Sequence, residues 1–175
     1  MHKDWLQVLP RGSRFIFHGN AEARAAASTA WGVAFAEEPC RARAVGERAT
    51  LWLGPDEYLL WDAAGGADPA TAATAAAIEQ ALGALPHALV DISHRQIGIR
   101  VSGAHAADIL RGACALDLSI EQFAVGACTR TVFAKADIVL WRTATDTFQL
   151  EVLRSFSAYV KSLLREIAVD FDAAG

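Results

Sequence analysis

Asp91-Ile92-Ser93-His94-Arg95-Gln96, running on into Ile97-Gly98-Ile99-Arg100-Val101-Ser102-Gly103, is the stretch on which the fold turns. An acid, a serine and a histidine so close together are the ingredients of nucleophilic catalysis. Such a site, however, needs its three side chains to converge on one point. On an extended strand, alternation puts Asp91 and Ser93 on one face and His94 on the other. No G-x-S-x-G elbow occurs in the chain. The stretch therefore predicts a crossing strand without catalytic residues. In it Asp91 and Ser93 satisfy backbone donors, while His94, Arg95 and Gln96 present donors to a neighbouring chain. The alternation that follows predicts a strand over residues 96–101, leading through Ser102-Gly103 into a helix over 104–111 closed by Gly112.

Outward from this stretch, the same order of elements occurs twice. Residues 13–18 are rich in aromatic and β-branched side chains and predict a strand. Asn20 caps a helix over 21–31, with Glu22 in its first turn and Gly32 just past its end. An Arg-rich stretch, 37–48, holds an edge strand near 40–45. Strands at 50–53 and 58–61 flank the turn Gly54-Pro55-Asp56-Glu57. Asp68-Pro69 opens a helix to about Leu85, with Ile78, Leu82 and Leu85 on one stripe. After the strand and helix of the second half come an irregular segment, 116–123, and strands at 127–133, 138–142 and 147–153. Ser155 caps a last helix with Phe156, Tyr159, Val160, Leu163, Leu164 and Ile167 at helical spacing.

Strands joined mostly by hairpins, with helices on one face, give an α+β class. The expected architecture is two βαβββα-like halves with mixed, mainly antiparallel sheets. The halves span about 13–86 and 87–170 of a single compact unit, 1–175. The Gly65-Gly66 loop and the Leu85-Pro86-His87 junction are the candidate joints.

Composition narrows the function. Apolar residues make up 53% and charged residues 21%, which fits a folded core rather than a disordered chain. A net charge of −4 without a basic block excludes a nucleic-acid groove. No apolar run reaches membrane-spanning length, and Met1–Trp5 carries no signal-peptide stretch, so a cytoplasmic location with no membrane association is expected. Cys40, Cys114 and Cys128 are too few and too scattered for a disulfide framework or a zinc site, and read as buried thiols. His2, His18, His87 and His105 have no metal-ligand spacing, so no metal site is predicted. No Gly-rich nucleotide motif is present. Arginines number 13 against 3 lysines. The planar guanidinium suits partner surfaces, and Arg142 and Arg154, each ending a predicted strand, join the partner-interface candidates. A codon-composition bias, which also explains the abundant Ala, accounts for the excess equally well. Trp52, Trp61 and Trp141, all in predicted strands, fit either core packing or partner anchors.

Several segments together resemble a known family. Val90-Asp-Ile-Ser-His94, the stretch from Ile99 through Ser102-Gly103 to Leu110, and Leu116-Asp117-Leu118 are similar to the glycine-cleavage T-protein (aminomethyltransferase) superfamily. More specifically, Leu51-Trp-Leu-Gly-Pro-Asp-Glu-Tyr-Leu-Leu-Trp61, Asp91-Ile-Ser-His-Arg-Gln96, Gly126-Ala-Cys-Thr-Arg-Thr131 and Arg154-Ser-Phe-Ser-Ala-Tyr159 resemble gamma subunits of heterotetrameric sarcosine oxidase. The resemblance implies a folate-binding T-protein-like fold. It also implies an oxidoreductase complex of one-carbon metabolism that demethylates sarcosine to glycine. The other products are hydrogen peroxide and formaldehyde or, with tetrahydrofolate as substrate, methylenetetrahydrofolate. It further implies alpha, beta and delta subunits as partners. FAD, FMN and NAD, like the folate, are carried by those larger subunits and none by this chain. The resemblance thus implies a chain with no catalytic or cofactor-binding residue of its own.

The same resemblance makes Asp137 the candidate for any folate site. In the folate-dependent relatives a paired-acid stretch stands there; this chain reads Ala136-Asp137, and the asparagine-containing turn before the last helix appears as Leu153-Arg154-Ser155. Two expectations from different classes follow. The first is a non-catalytic assembly subunit. The alternative is a free-standing folate-binding, aminomethyltransferase-like module.

Overall fold

A computed structural model describes residues 4–64 and 68–172. Its contacts divide the chain into two compact units where one was expected: Pro10–His94, and the residues up to Leu9 together with those from Arg95 on. The boundary falls at Asp91–Gln96 and not at residue 86. His2 and the Gly65-Gly66 joint lie outside the described residues.

The first unit is a five-stranded sheet with two helices. β2 (Ser13–Gly19) leads to α1 (Ala21–Trp31), then β3 (Ala42–Val45), β4 (Arg48–Gly54), β5 (Glu57–Asp62), α2 (Asp68–Leu82) and β6 (His87–Asp91). The strand order is β3-β4-β5-β2-β6. α1 starts as expected: Asn20 Oδ1 accepts from the Ala23 N–H at 3.0 Å, and Gly32 closes the helix at φ 81°, a conformation that favours glycine. The β4–β5 hairpin turns on Pro55-Asp56. Asp56 is held at φ 58°, which a short polar side chain tolerates better than a branched one, and it pairs with Arg24. α2 stops at Leu82, three residues before the expected end, because Gly83 turns left-handed at φ 54°. The core lies between sheet and helices: Phe15, Phe17, Tyr58 and Leu60 from the strands meet Ala23, Ala27 and Trp31 of α1 and Ile78 and Leu82 of α2. Burying an aromatic such as Trp31 stabilises by about 3 kcal/mol.

The second unit has the same plan. β1 (Leu6–Val8) belongs to it, with β7 (Gln96–Ser102), α3 (Ala106–Arg111), β8 (Cys128–Phe133), β9 (Ala136–Ala144), β10 (Thr147–Leu153) and α4 (Ser157–Asp172). Its order is β1-β7-β10-β9-β8. Read from the other edge, that is the order of the first sheet, strand for strand. The repeat seen in the sequence therefore extends to topology, with β6 and β1 as a matching fifth strand in each. Every pairing among the described residues is antiparallel; no parallel pair makes the sheets mixed. Ile99, Val101, Ile138, Leu140, Phe148, Leu150 and Val152 pack on Ile109, Leu110, Val160 and Leu164.

Three local expectations change in this unit. Gly112 ends α3 at φ −60°, an ordinary helical value. It is small because a Cβ there would stand 2.7 Å from Ile167 Cγ2 of α4. Ser155 is not the cap of the last helix. A 3-10 turn, Arg154–Phe156, comes first, and the Ser157 hydroxyl donates to the Arg154 carbonyl at 2.9 Å. The apolar stripe of α4 is only partly buried: Val160 and Leu164 are sealed, while Phe156 and Tyr159 are exposed.

Candidate functional site

The opening stretch is not one strand. β6 ends at Asp91, residues 93–95 form a turn, and β7 begins at Gln96. The alternation argument therefore does not apply to Ser93 and His94, but the backbone role assigned to the acid and the serine does. Asp91 Oδ1 accepts from the Ser93 N–H at 2.8 Å. Ser93 Oγ accepts from the Arg14 N–H at 2.9 Å, and the Ile92 N–H donates to the Arg14 carbonyl at 2.9 Å. Asp91 thus fixes the turn that ends β6, and Ser93 ties that turn to β2. A small cavity of about 120 Å³ lies beside them, lined by Arg11, Gly12, Thr71, Asp91, Ser93 and His94 among others. Its serine already serves the backbone, and Thr71 is bonded to Ser13 at 2.8 Å. The cavity's serine and threonine hydroxyls are thus both engaged in holding the unit's own structure.

The larger concavity belongs to the second unit. It is an open groove of about 430 Å³ at the end of the sheet where β7 and β9 begin and β8 and β10 end. Gln96, Arg130, Thr131, Val132, Asp137, Ile138, Val139, Glu151 and Leu153 line it. Strand register brings them together: Leu153 stands opposite Gln96, Glu151 and Arg130 each opposite a neighbour of the other strands, and Val132 opposite Asp137. Glu151 is buried and accepts from Gln149 Nε2 at 2.8 Å. Gln96 Oε1 is buried without a hydrogen-bond partner.

The expected partner-facing residues separate into two groups. His94 and Arg95 are exposed in the turn, and Arg154 is exposed after β10. The Arg154 N–H donates to the Arg95 carbonyl at 2.8 Å, so these two arginines share one end of the sheet with Gln96. Arg142 is a correction. Antiparallel pairing sets it opposite Phe148, at the far end of the sheet from Arg154, and it is only 4% exposed. Its guanidinium donates to the carbonyls of Leu118 (3.1 Å), Phe123 (2.8 Å) and Thr145 and lies over the Phe148 ring at 4.8 Å. Burial pulls its pKa below the ordinary arginine value, against the opposing pull of Asp146 and Glu121. Arg142 holds the irregular 116–123 segment to the sheet, and its guanidinium is spent on backbone carbonyls.

Trp61 and Trp141 are mostly buried, at 8% and 9% exposure, which favours packing over anchoring. Cys114 and Cys128 are buried as expected, but Cys40 is exposed, at φ 57° beside the β3 edge. Phe156 and Tyr159 are exposed although they sit at core spacing; the stripe they extend is wider than α4 needs, and that excess width is the signal that they face outward. Arg130 carries no local signal in the sequence, and strand register brings it to the groove; Lys135 lies in the β8–β9 turn.

Asp137 stands exposed at the groove wall, but the residue before it rules out a paired acid. Ala136 is fully buried in the apolar core, so a carboxylate there would be desolvated among hydrocarbon. Among the described residues no group of three His, Cys, Asp or Glu side chains is placed to hold a metal. No described helix is long and apolar enough to cross a membrane.

Comparison with known proteins places this geometry. The model of the sarcosine oxidase, gamma subunit family matches residues 18–170. The sarcosine oxidase subunit gamma of Corynebacterium sp. (strain U-96) is 33% identical over 126 residues, 72% of this chain and 58% of the relative. That of Arthrobacter sp. is 33% identical over 100 residues, 57% of this chain and 46% of the relative. The matches thus span about half the length of these curated relatives. Among solved structures, a chain of the heterotetrameric sarcosine oxidase from Corynebacterium sp. U-96, in complex with pyrrole 2-carboxylate, superposes with a TM-score of 0.85 at 27% identity, covering 95% of this chain and 84% of that one. The glycine cleavage system aminomethyltransferase T from Bartonella henselae gives 0.67 at 14% identity, over 91% of this chain and 44% of that one, which shows the T-protein-like fold and nothing further. A family match across both units, on the fold expected for it, leads to one conclusion: this chain belongs to the sarcosine oxidase, gamma subunit family.

Proposed function

We propose that this chain is a non-catalytic assembly subunit of a heterotetrameric sarcosine oxidase and acts by binding alpha, beta and delta subunits. The observation that carries the reading is the family match over residues 18–170, which runs through both units. The use of Asp91 and Ser93 supports it, because the side chains that resemble catalytic ones are spent on backbone groups. In this reading the oxidation of sarcosine to glycine, with hydrogen peroxide and formaldehyde or methylenetetrahydrofolate, takes place on the partner subunits. Those subunits carry FAD, FMN and NAD and take tetrahydrofolate, and the complex works in the cytoplasm. This chain supplies surface, not chemistry.

Co-expression with the three candidate subunits tests the reading. The chain should co-purify with them at moderate salt, and its absence from the purified complex counts against assembly. Titration of the isolated chain with tetrahydrofolate tests the folate-module alternative. No saturable binding is expected, and micromolar binding contradicts the proposal.

A further inference from the structure

Positive charge gathers around an apolar groove at one end of the second sheet. Arg95 and Arg154 are joined there through the Arg154 N–H and the Arg95 carbonyl. Lys135 is exposed in the β8–β9 turn, next to the pair Phe133 and Ala136. Arg130 lines the groove itself. Against these stand Asp137, exposed, and Glu151, which is 2% exposed and bonded to Gln149. The whole chain carries −4, so this end runs against the sign of the rest of the molecule. The groove walls are aliphatic: Val132, Ile138, Val139 and Leu153. Phe156, in the turn that follows β10, and Tyr159, in the first turn of α4, are 39% and 38% exposed, although Val160 and Leu164 are sealed. Arginine and aromatic side chains around an apolar depression are the composition that protein interfaces favour.

We propose that this end of the second sheet is a docking site for an acidic segment of a partner polypeptide. The segment sets an aliphatic side chain into the groove and aligns its carboxylates with Arg95, Lys135 and Arg154. Charge complementarity selects this occupant. Guanidinium groups take carboxylates in paired, planar contacts, and the aliphatic walls reward a side chain that a small anion or a nucleic-acid backbone does not have. The inference rests on the assembly reading and adds which face binds and what chemistry the partner presents there.

The test uses the co-expressed complex, purified through a tag on another subunit, and compares wild type with the Arg95→Glu/Lys135→Glu/Arg154→Glu variant. Arg43→Glu, on the exposed edge strand β3 of the first unit, is the control. The wild-type chain should be retained, with affinity falling as salt rises. The triple variant should bind roughly 10–100-fold more weakly and lose most of the salt dependence; the control should match wild type. Circular dichroism checks folding, and Arg95→Gln/Lys135→Gln/Arg154→Gln replaces the reversal if that variant is unfolded. If the triple variant is retained like wild type, or if Arg43→Glu is lost equally, the docking site is overturned while the assembly reading stands. If the wild-type chain is not retained at all, the assembly reading falls and the docking site with it.

Discussion

The two units solve the same structural problems with different chemistry. Each has a five-stranded antiparallel sheet in the same strand order and an arginine lying over an aromatic ring. In the first unit Arg48 stacks on Trp31 at 5.0 Å and meets a carboxylate, Asp62, at 2.8 Å; it also donates to the Trp31 carbonyl at 3.0 Å. In the second unit Arg142 stacks on Phe148 and is bonded to three carbonyls. Arg48 keeps 38% of its side chain exposed, while Arg142 is buried. Helix ends diverge in the same way. Gly32 closes α1 because of its backbone angle, with open space where a Cβ would go; Gly112 closes α3 because α4 leaves no room. Identical topology thus does not assign identical roles to matching residue types. Burial and contacts decide the role.

The comparison breaks most easily at Arg142. Arg142→Ala leaves buried carbonyls without donors and opens a void over Phe148, at a cost of roughly 3–4 kcal/mol. Denaturant unfolding should show that loss independent of salt. Arg48→Ala should cost less, about 1–2 kcal/mol, because its ion pair is partly solvated, and the difference from wild type should shrink in 1 M salt. Equal losses in the two variants contradict the contrast drawn between the units. Gly112→Val forces Ile167 aside and should cost about 1–3 kcal/mol. Gly32→Ala should cost about 1 kcal/mol through backbone strain alone, and a larger loss at Gly32 than at Gly112 reverses the assignment of causes.

The smallest effect is set by pH. His87 Nδ1 donates to the Leu85 carbonyl at 2.7 Å, and its Nε2 meets Glu79 at 2.7 Å, tying α2 to the start of β6. These hydrogen bonds, the Leu85 carbonyl first, raise its pKa above the ordinary 6.5. A raised folded-state pKa means the stabilisation is fully present below pH 6.5 and is lost as pH climbs through the folded value. His87→Ala should therefore destabilise most at pH 5.5, by on the order of 1 kcal/mol, and the difference should narrow under alkaline conditions, where the neutral ring keeps only its bond to the Leu85 carbonyl. A pH-independent difference removes the charged contact from the account.

Much of this fold was legible in the sequence because its signals are local. Asn20 with Gly32, and Pro55-Asp56 between apolar strands, fix their elements through caps and turn angles that need no tertiary context. The two fifth strands were not legible. β1 is three residues long, and β6, His87–Asp91, was merged with the turn that follows it. Edge strands of that length carry too few side chains to show a period. Of the site candidates, Arg95, Gln96 and Arg154 do share one sheet end, but only register reveals this. Arg142 looked the same in sequence, as a charged residue at a strand end. What separates it is that the 116–123 segment folds back over it, a long-range event that periodicity does not record.

The central proposal, that this chain works by binding rather than by chemistry, is tested most directly by native mass spectrometry of the chain co-expressed with the proposed alpha, beta and delta partners. The account predicts a single assembly containing one copy of this chain and one of each partner. A spectrum in which this chain appears only at its own mass of 18.7 kDa, beside a partner complex that is fully active without it, contradicts the account.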